Sequence, residues 1–135
     1  MRRILVGTDT SAAADLAVRE AAKLAELAGA ELLVVRVRPN GSVRDVADPR
    51  KPADPCRYLD EMPRRFPQIR VRAWSEDGRA ADRLIEVAEN EGVDAIVVGN
   101  RGTRGSWWRV RDSVPNIVLR HAPCSVFIVD TRAAQ

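Results

Sequence analysis

Hydrophobic positions along the chain follow two rhythms. Short continuous apolar runs recur: Ile4–Val6 closed by Gly7, Glu31–Val37 ended by Pro39, Asp94–Gly99 and Ser125–Asp130. Runs of this length without alternation suit strands buried on both faces. Between them, apolar residues return at helical spacing. Ala14, Ala17, Val18, Ala21, Ala25 and Ala28 follow Ser11 as N-cap, with Gly29 where a C-cap glycine belongs. Ala81, Leu84, Ile85 and Ala88 lie between Gly78 and Gly92, and Ile117, Val118 and His121 follow Ser113, the N-cap of a shorter helix.

Two segments depart from this alternation. Pro39 to Pro55 is polar and proline-rich, an irregular connection; the next stretch, Cys56–Pro67, reads as a short helix weakened by Pro63. In Ile69–Trp74, Ile69, Val71 and Ala73 alternate with Arg70, Arg72 and Trp74, the pattern of a half-exposed strand near a sheet edge. Five strands interleaved with about four helices predict a single α/β domain over 1–135, an open parallel sheet with helices on both faces.

Composition narrows the class. Hydrophobic residues make up 45% and charged residues 30% of the 135, ordinary for a soluble globular protein. No apolar run approaches the ~18 residues a membrane span needs. The step from Met1 to Asp9 is too short for a secretory leader, and Cys56 and Cys124 lack metal-ligand spacing. These features predict a cytoplasmic protein with reduced thiols. The net charge is +3, but all basic residues except Lys23 and Lys51 are arginine, and most alternate with acids. The exception is Arg101–Arg111, which holds four arginines and no acid. Nucleic-acid binding through that loop is a third, weaker reading, because no docking motif accompanies it.

In an open α/β sheet, ligands bind beyond the carboxyl ends of the strands, where strand order reverses. Two strands end in glycine followed by polar residues: Gly7-Thr8-Asp9 and Gly99-Asn100-Arg101-Gly102. Glycine there admits close approach to the backbone, and a helix starting at Ser113 adds its positive dipole end. The loop is neither a Walker loop, since it has no lysine, nor G-x-G-x-x-G. His121 is the single histidine, so no Ser-His-Asp or Cys-His site can be built around a second. Without paired carboxylates, a metal-ligand cluster or a lysine nucleophile, efficient catalysis is not expected, although slow hydrolysis stays open.

The sequence resembles the universal stress protein family of the UspA type along essentially its whole length. ILVGTDTSAAADLAVREAAKLA resembles the family's opening strand and first helix. DAIVVGNRG resembles the fourth strand, and VLRHAPCSVFIVD the closing segment. This resemblance implies a Rossmann-like sheet ordered 3-2-1-4-5, with the reversal between the first and fourth strands. ATP-binding members carry G-x2-G-x9-G-[ST]. Gly99, Gly102 and Ser113 match it, but Asp112 stands where the third glycine belongs. The resemblance further implies that Asp9 and Val37 face adenine or ribose. Val98 and Gly99 would line the sugar-phosphate side, and Gly102, Ser113 and Val114 would approach the phosphates. Arg101, Arg104 and Asp112 are uncertain phosphate-side residues. Asp112 could repel phosphate, cap the helix, ligate Mg²⁺ with the phosphates, or pair with Arg104 or Arg109.

Two further expectations follow. Trp107 and Trp108 favour packing or an interface over ligand stacking. The last strand, with Val126, Phe127, Ile128 and Val129, would lie at the sheet edge, where the family forms a two-fold homodimer. The leading expectation is a dimeric protein that binds an adenine nucleotide (ATP or AMP, with or without Mg²⁺) as a regulatory ligand in stress response. The alternative is a dimeric interaction module that binds no nucleotide and engages an unknown signalling protein.

Overall fold

Continuous apolar runs can supply both faces of one sheet, and that is how this chain uses them. The computed structural model describes residues 1–38, 55–100 and 113–131. Its strands are β1 (Arg3–Thr8), β2 (Glu31–Arg38), β3 (Val71–Asp77), β4 (Ala95–Gly99) and β5 (Ser125–Val129). They pair in parallel in the order β3-β2-β1-β4-β5. The reversal falls between β1 and β4, as expected.

Alternate residues of the central strands feed two cores. Ile4, Val6, Leu32, Val34, Ala95 and Val97 pack on one face against Ala17, Val18, Ala21 and Ala25 of α1 (Ala12–Ala28). Leu5, Leu33, Val35, Ile96 and Val98 pack on the other against Leu84 and Ala88 of α4 (Ala80–Glu91) and Val118 of α5 (Val114–His121). Alanine along the buried stripe of α1 keeps that helix tight against the sheet. Both long helices stop at glycines in left-handed backbone, Gly29 with φ 67° and Gly92 with φ 61°, where a side chain would be strained.

Three local expectations are refined. The weak helix after residue 55 is two pieces, α2 (Pro55–Asp60) and α3 (Met62–Arg65), with Pro63 in the first turn of the second. There its missing N–H does no harm. The alternating strand starts two residues later than its pattern and runs on to Asp77, because β2 offers backbone partners as far as Arg38. Ser113 occupies the N-cap position with extended backbone but makes no side-chain capping bond. The connection from residue 39 to 54 lies outside the described residues.

A polar clamp fixes the two short helices onto α1. Asp15, in the first turn of α1, receives hydrogen bonds from the Tyr58 hydroxyl at 2.5 Å and from Arg65 at 2.6 and 3.1 Å. Arg65 also lies 5.0 Å from the Phe66 ring centroid and 6.0 Å from that of Tyr58, within cation–π range. Burial pushes the Asp15 carboxyl up, but the hydrogen bonds from Arg65 and Tyr58 outweigh it and hold the group below its ordinary range. Burial and the Asp15 carboxylate together push the Tyr58 phenol well above its ordinary value.

Candidate functional site

The reversal of strand order leaves the ends of β1 and β4 side by side, with the end of β2 flanking β1. Three of the expected residues stand at these ends: Asp9 just past β1, Val37 near the end of β2, and Gly99 closing β4. Ser113 and Val114 begin α5 on the same side as the second core, to which Val98 and Val114 belong. Asp9 and Val37 are half-buried and present surface, whereas Ser113 is 4% exposed and Val98 2%. The Val98 and Val114 side chains are therefore core groups, and any ligand would meet backbone at these positions. Gly102, Arg101, Arg104 and Asp112 lie outside the described residues, as do Trp107 and Trp108.

The two strand-end glycines have a packing reason to be glycine. A Cβ at Gly7 would stand 2.8 Å from Leu84 Cδ1, and one at Gly99 would stand 2.7 Å from Thr131 Cγ2. Both neighbours are fully buried. The space beside each glycine is thus taken by the chain itself, so close ligand approach is not needed to explain either residue.

A hydroxyl-rich turn, residues 8–11, links β1 to α1, and sequence reading drew only Asp9 from it as a site residue. Thr8, Thr10 and Ser11 are each 2% exposed or less. Thr8 Oγ1 accepts from the Thr10 N–H at 2.9 Å, Asp9 Oδ1 from the Ser11 N–H at 2.9 Å, and Ser11 Oγ from the Ala14 N–H at 3.2 Å. Thr10 has φ 67°, the one non-glycine residue with positive φ among those described. Its signal in the sequence was faint: a run of hydroxyl residues, Thr8, Thr10 and Ser11, around one aspartate.

A second unforeseen feature locks the end of β4 to the chain beyond β5. Asn100 donates its backbone N–H to Val129 O at 2.8 Å, and its Oδ1 accepts from the Thr131 N–H and hydroxyl at 3.0 and 3.3 Å. This fixes the direction in which the chain leaves Gly99 toward residue 101. Among the described residues, no group of three or more His, Cys, Asp or Glu is placed to hold a metal ion.

A cleft of about 600 Å³ opens at the opposite, amino end of the sheet, bordered by Arg2, Arg3, Glu31, Arg70 and Asp94. Its carboxylates are engaged by the chain. Asp94 accepts from the Arg2 and Arg3 backbone N–H groups at 2.6 and 3.1 Å, and Glu31 pairs with Arg3 and Arg72. We therefore place the candidate site at the carboxyl ends, where the fold brings β1 and β4 together.

The two sheet edges also differ. Along β3, the Trp74 indole donates to Glu76 at 2.7 Å and Arg72 lies 5.7 Å from the Trp74 ring centroid. Along β5, Phe127 and Ile128 are 40% and 44% exposed. No helix among the described residues is long and apolar enough to cross a membrane.

Comparisons with known proteins match this architecture. The profile of the Universal stress protein family covers residues 1–130. A universal stress protein of Methanothermobacter thermautotrophicus is 37% identical over 65 residues, 48% of this chain and 44% of that protein, so the match spans less than half of that relative. A universal stress protein solved in complex with cAMP superimposes with a TM-score of 0.76 at 27% identity, over 96% of this chain and 97% of that one. UspA from Lactobacillus plantarum gives 0.73 at 25% identity, over 95% and 97%. A family member from Arabidopsis thaliana shares the fold, with a TM-score of 0.67 at 16% identity over 96% and 92%. With the family profile matched from the first strand through the last, the chain belongs to the universal stress protein family.

Proposed function

We propose that the protein binds an adenine nucleotide at the carboxyl ends of β1 and β4 and uses it as a regulatory ligand. The observation that carries this reading is the meeting of Asp9 and Gly99 at the point where strand order reverses, the usual ligand position in open α/β sheets. The structural neighbour described in complex with cAMP, which is similar over nearly the whole chain, supports the choice of ligand class. Asp9 would accept hydrogen bonds from ribose or adenine, with Val37 against the ring. The backbone of Gly99 and Gly102 and the start of α5 at Ser113 and Val114 would meet the phosphates. Mg²⁺, if bound, would sit among the phosphates with Asp112 as its protein ligand.

Isothermal titration calorimetry with AMP, ATP plus Mg²⁺ and cAMP tests this directly. Saturable heat with at least one of them is the expected result; none at millimolar ligand would defeat the proposal. A second reading rests on Asp112 at the third motif glycine: a dimeric interaction module that binds no nucleotide. A carboxylate ~4 Å from a phosphate costs on the order of 1 kcal/mol in water, about five-fold in affinity. Binding by Asp112→Gly but not by the wild type would favour the second reading.

Either way, the protein would be a homodimer through β5. Supporting this is the exposure of Phe127 and Ile128 on an edge strand that pairs with β4 on one side only within the described sheet. Such edges associate unless covered. Light scattering after size exclusion should give about twice the chain mass for the wild type and the chain mass for Ile128→Lys. A wild-type monomer, or a variant that stays dimeric, would rule out this interface.

A further inference from the structure

The turn at residues 8–11 contains four side chains with polar atoms, and three of them are used in holding it. Thr8, Asp9 and Ser11 each accept a backbone N–H within the turn or the first turn of α1. Thr10 is the exception. Its hydroxyl is buried and has no hydrogen-bond partner, and no other buried side-chain nitrogen or oxygen among the described residues shares that condition. Burial of an unpaired hydroxyl is destabilising, and valine would fill the same space without that penalty. The residue is β-branched and held at φ 67°, a conformation that disfavours such side chains. Two penalties thus coincide on one residue, immediately after Asp9 at the reversal of strand order.

We propose that the Thr10 hydroxyl is a ligand contact, hydrogen-bonding the nucleoside part of the bound adenine nucleotide. This rests on the nucleotide reading of the same site. The nucleoside is favoured over the phosphates for two reasons. A hydroxyl is neutral and can donate as well as accept, matching ribose hydroxyls and the adenine edge. The carboxylate of Asp9, one residue away, opposes a phosphate in the same place. Because the oxygen has no accessible surface, contact requires Thr10 to rotate about χ1 or the turn to shift.

The test compares wild type, Thr10→Val and Thr10→Ser by calorimetric titration with adenosine and with AMP, and by thermal melting without ligand. Thr10→Val keeps the shape and removes the hydroxyl, whereas Thr10→Ser keeps the hydroxyl. The expected result is a loss of about ten-fold in affinity for both ligands with valine. Serine should stay within about three-fold of the wild type, and the valine variant should melt at the same temperature as the wild type or higher. Equal binding by valine and wild type would overturn the proposal. So would a lower melting temperature, or failure to fold, for valine alone, since the hydroxyl would then have a structural partner such as a buried water. A loss for AMP but not adenosine would move the contact to the phosphate and overturn the nucleoside assignment. A loss of equal size in the serine variant would also overturn it. Wild type that binds neither ligand would defeat the nucleotide reading itself, and this inference with it.

Discussion

The two ends of the sheet use their polar groups differently. At the amino end, charge is matched by charge. Arg3 meets Glu31 and the Glu91 carbonyl, Arg72 bridges Glu31 and Glu91, and Asp94 takes two backbone N–H groups. Those N–H groups hold the Asp94 carboxyl below its ordinary range. At the carboxyl end of β1, the turn combines Asp9 with three buried hydroxyls, one of them unpartnered, and a non-glycine residue holds a left-handed backbone. Pairing at the amino end closes the fold; in the turn after β1, the Thr10 hydroxyl is left unpaired. The difference shows that polar residues alone do not mark a site, since the amino end carries both charged side chains and a cleft of about 600 Å³.

Mutations can break this contrast, and the largest effect is expected where the carboxyl end is itself packed. Gly99→Ala sets a methyl 2.7 Å from the buried Thr131 Cγ2 and should destabilise by about 1–3 kcal/mol in urea unfolding. Adding Thr131→Ser, which removes that methyl group, should recover much of the loss. No recovery would mean that Gly99 serves something other than packing.

Next comes the clamp on α1. Tyr58→Phe removes a hydrogen bond to a charged, half-buried carboxylate and should cost about 1.5 kcal/mol. Asp15 also sets an acid limit. Its folded-state pKa lies below the ordinary 3.8, so its contribution is complete above that value and lost as pH falls below it. Tyr58 has the opposite sign: its phenol is raised from an ordinary 10.0, so its contribution is complete below pH 10.0 and lost as pH rises beyond it. Denaturant midpoints from pH 2 to 7 should fall less steeply at the acid end for Asp15→Asn than for wild type. Parallel curves would remove Asp15 from the account.

The smallest effect sharpens the contrast from the other side. Glu31→Gln weakens two surface pairs at the amino end and should cost about 0.5–1 kcal/mol, with AMP affinity unchanged. A several-fold change in that affinity would show that the two ends are not independent.

Much of this was legible in the chain. Apolar runs such as Leu32–Val35 and helical spacing such as Ala17–Ala21–Ala25 gave the elements, because period and burial are direct consequences of sheet and helix geometry. The order of strands came from the family resemblance, which runs along essentially the whole chain. The break between α2 and α3 was only partly legible, since Pro63 signals weakness but not where Asp15 anchors the pieces. The packing at Gly7 and Gly99 was not legible, because a glycine in sequence does not say whether its empty side faces a ligand or, as here, Leu84 and Thr131. Thr10 left only a faint signal, because neither its unpaired hydroxyl nor its positive φ is encoded by a local pattern.

The central claim is that the ligand end is the carboxyl end, at β1 and β4. Amide chemical-shift mapping with ¹⁵N-labelled protein and AMP tests it most directly. The account predicts saturable shifts centred on residues 9–11, 99–100 and 113–114, with the amides of Arg2, Arg3 and Asp94 unmoved. Shifts centred on those amino-end residues, or no saturable shifts at all, would contradict it.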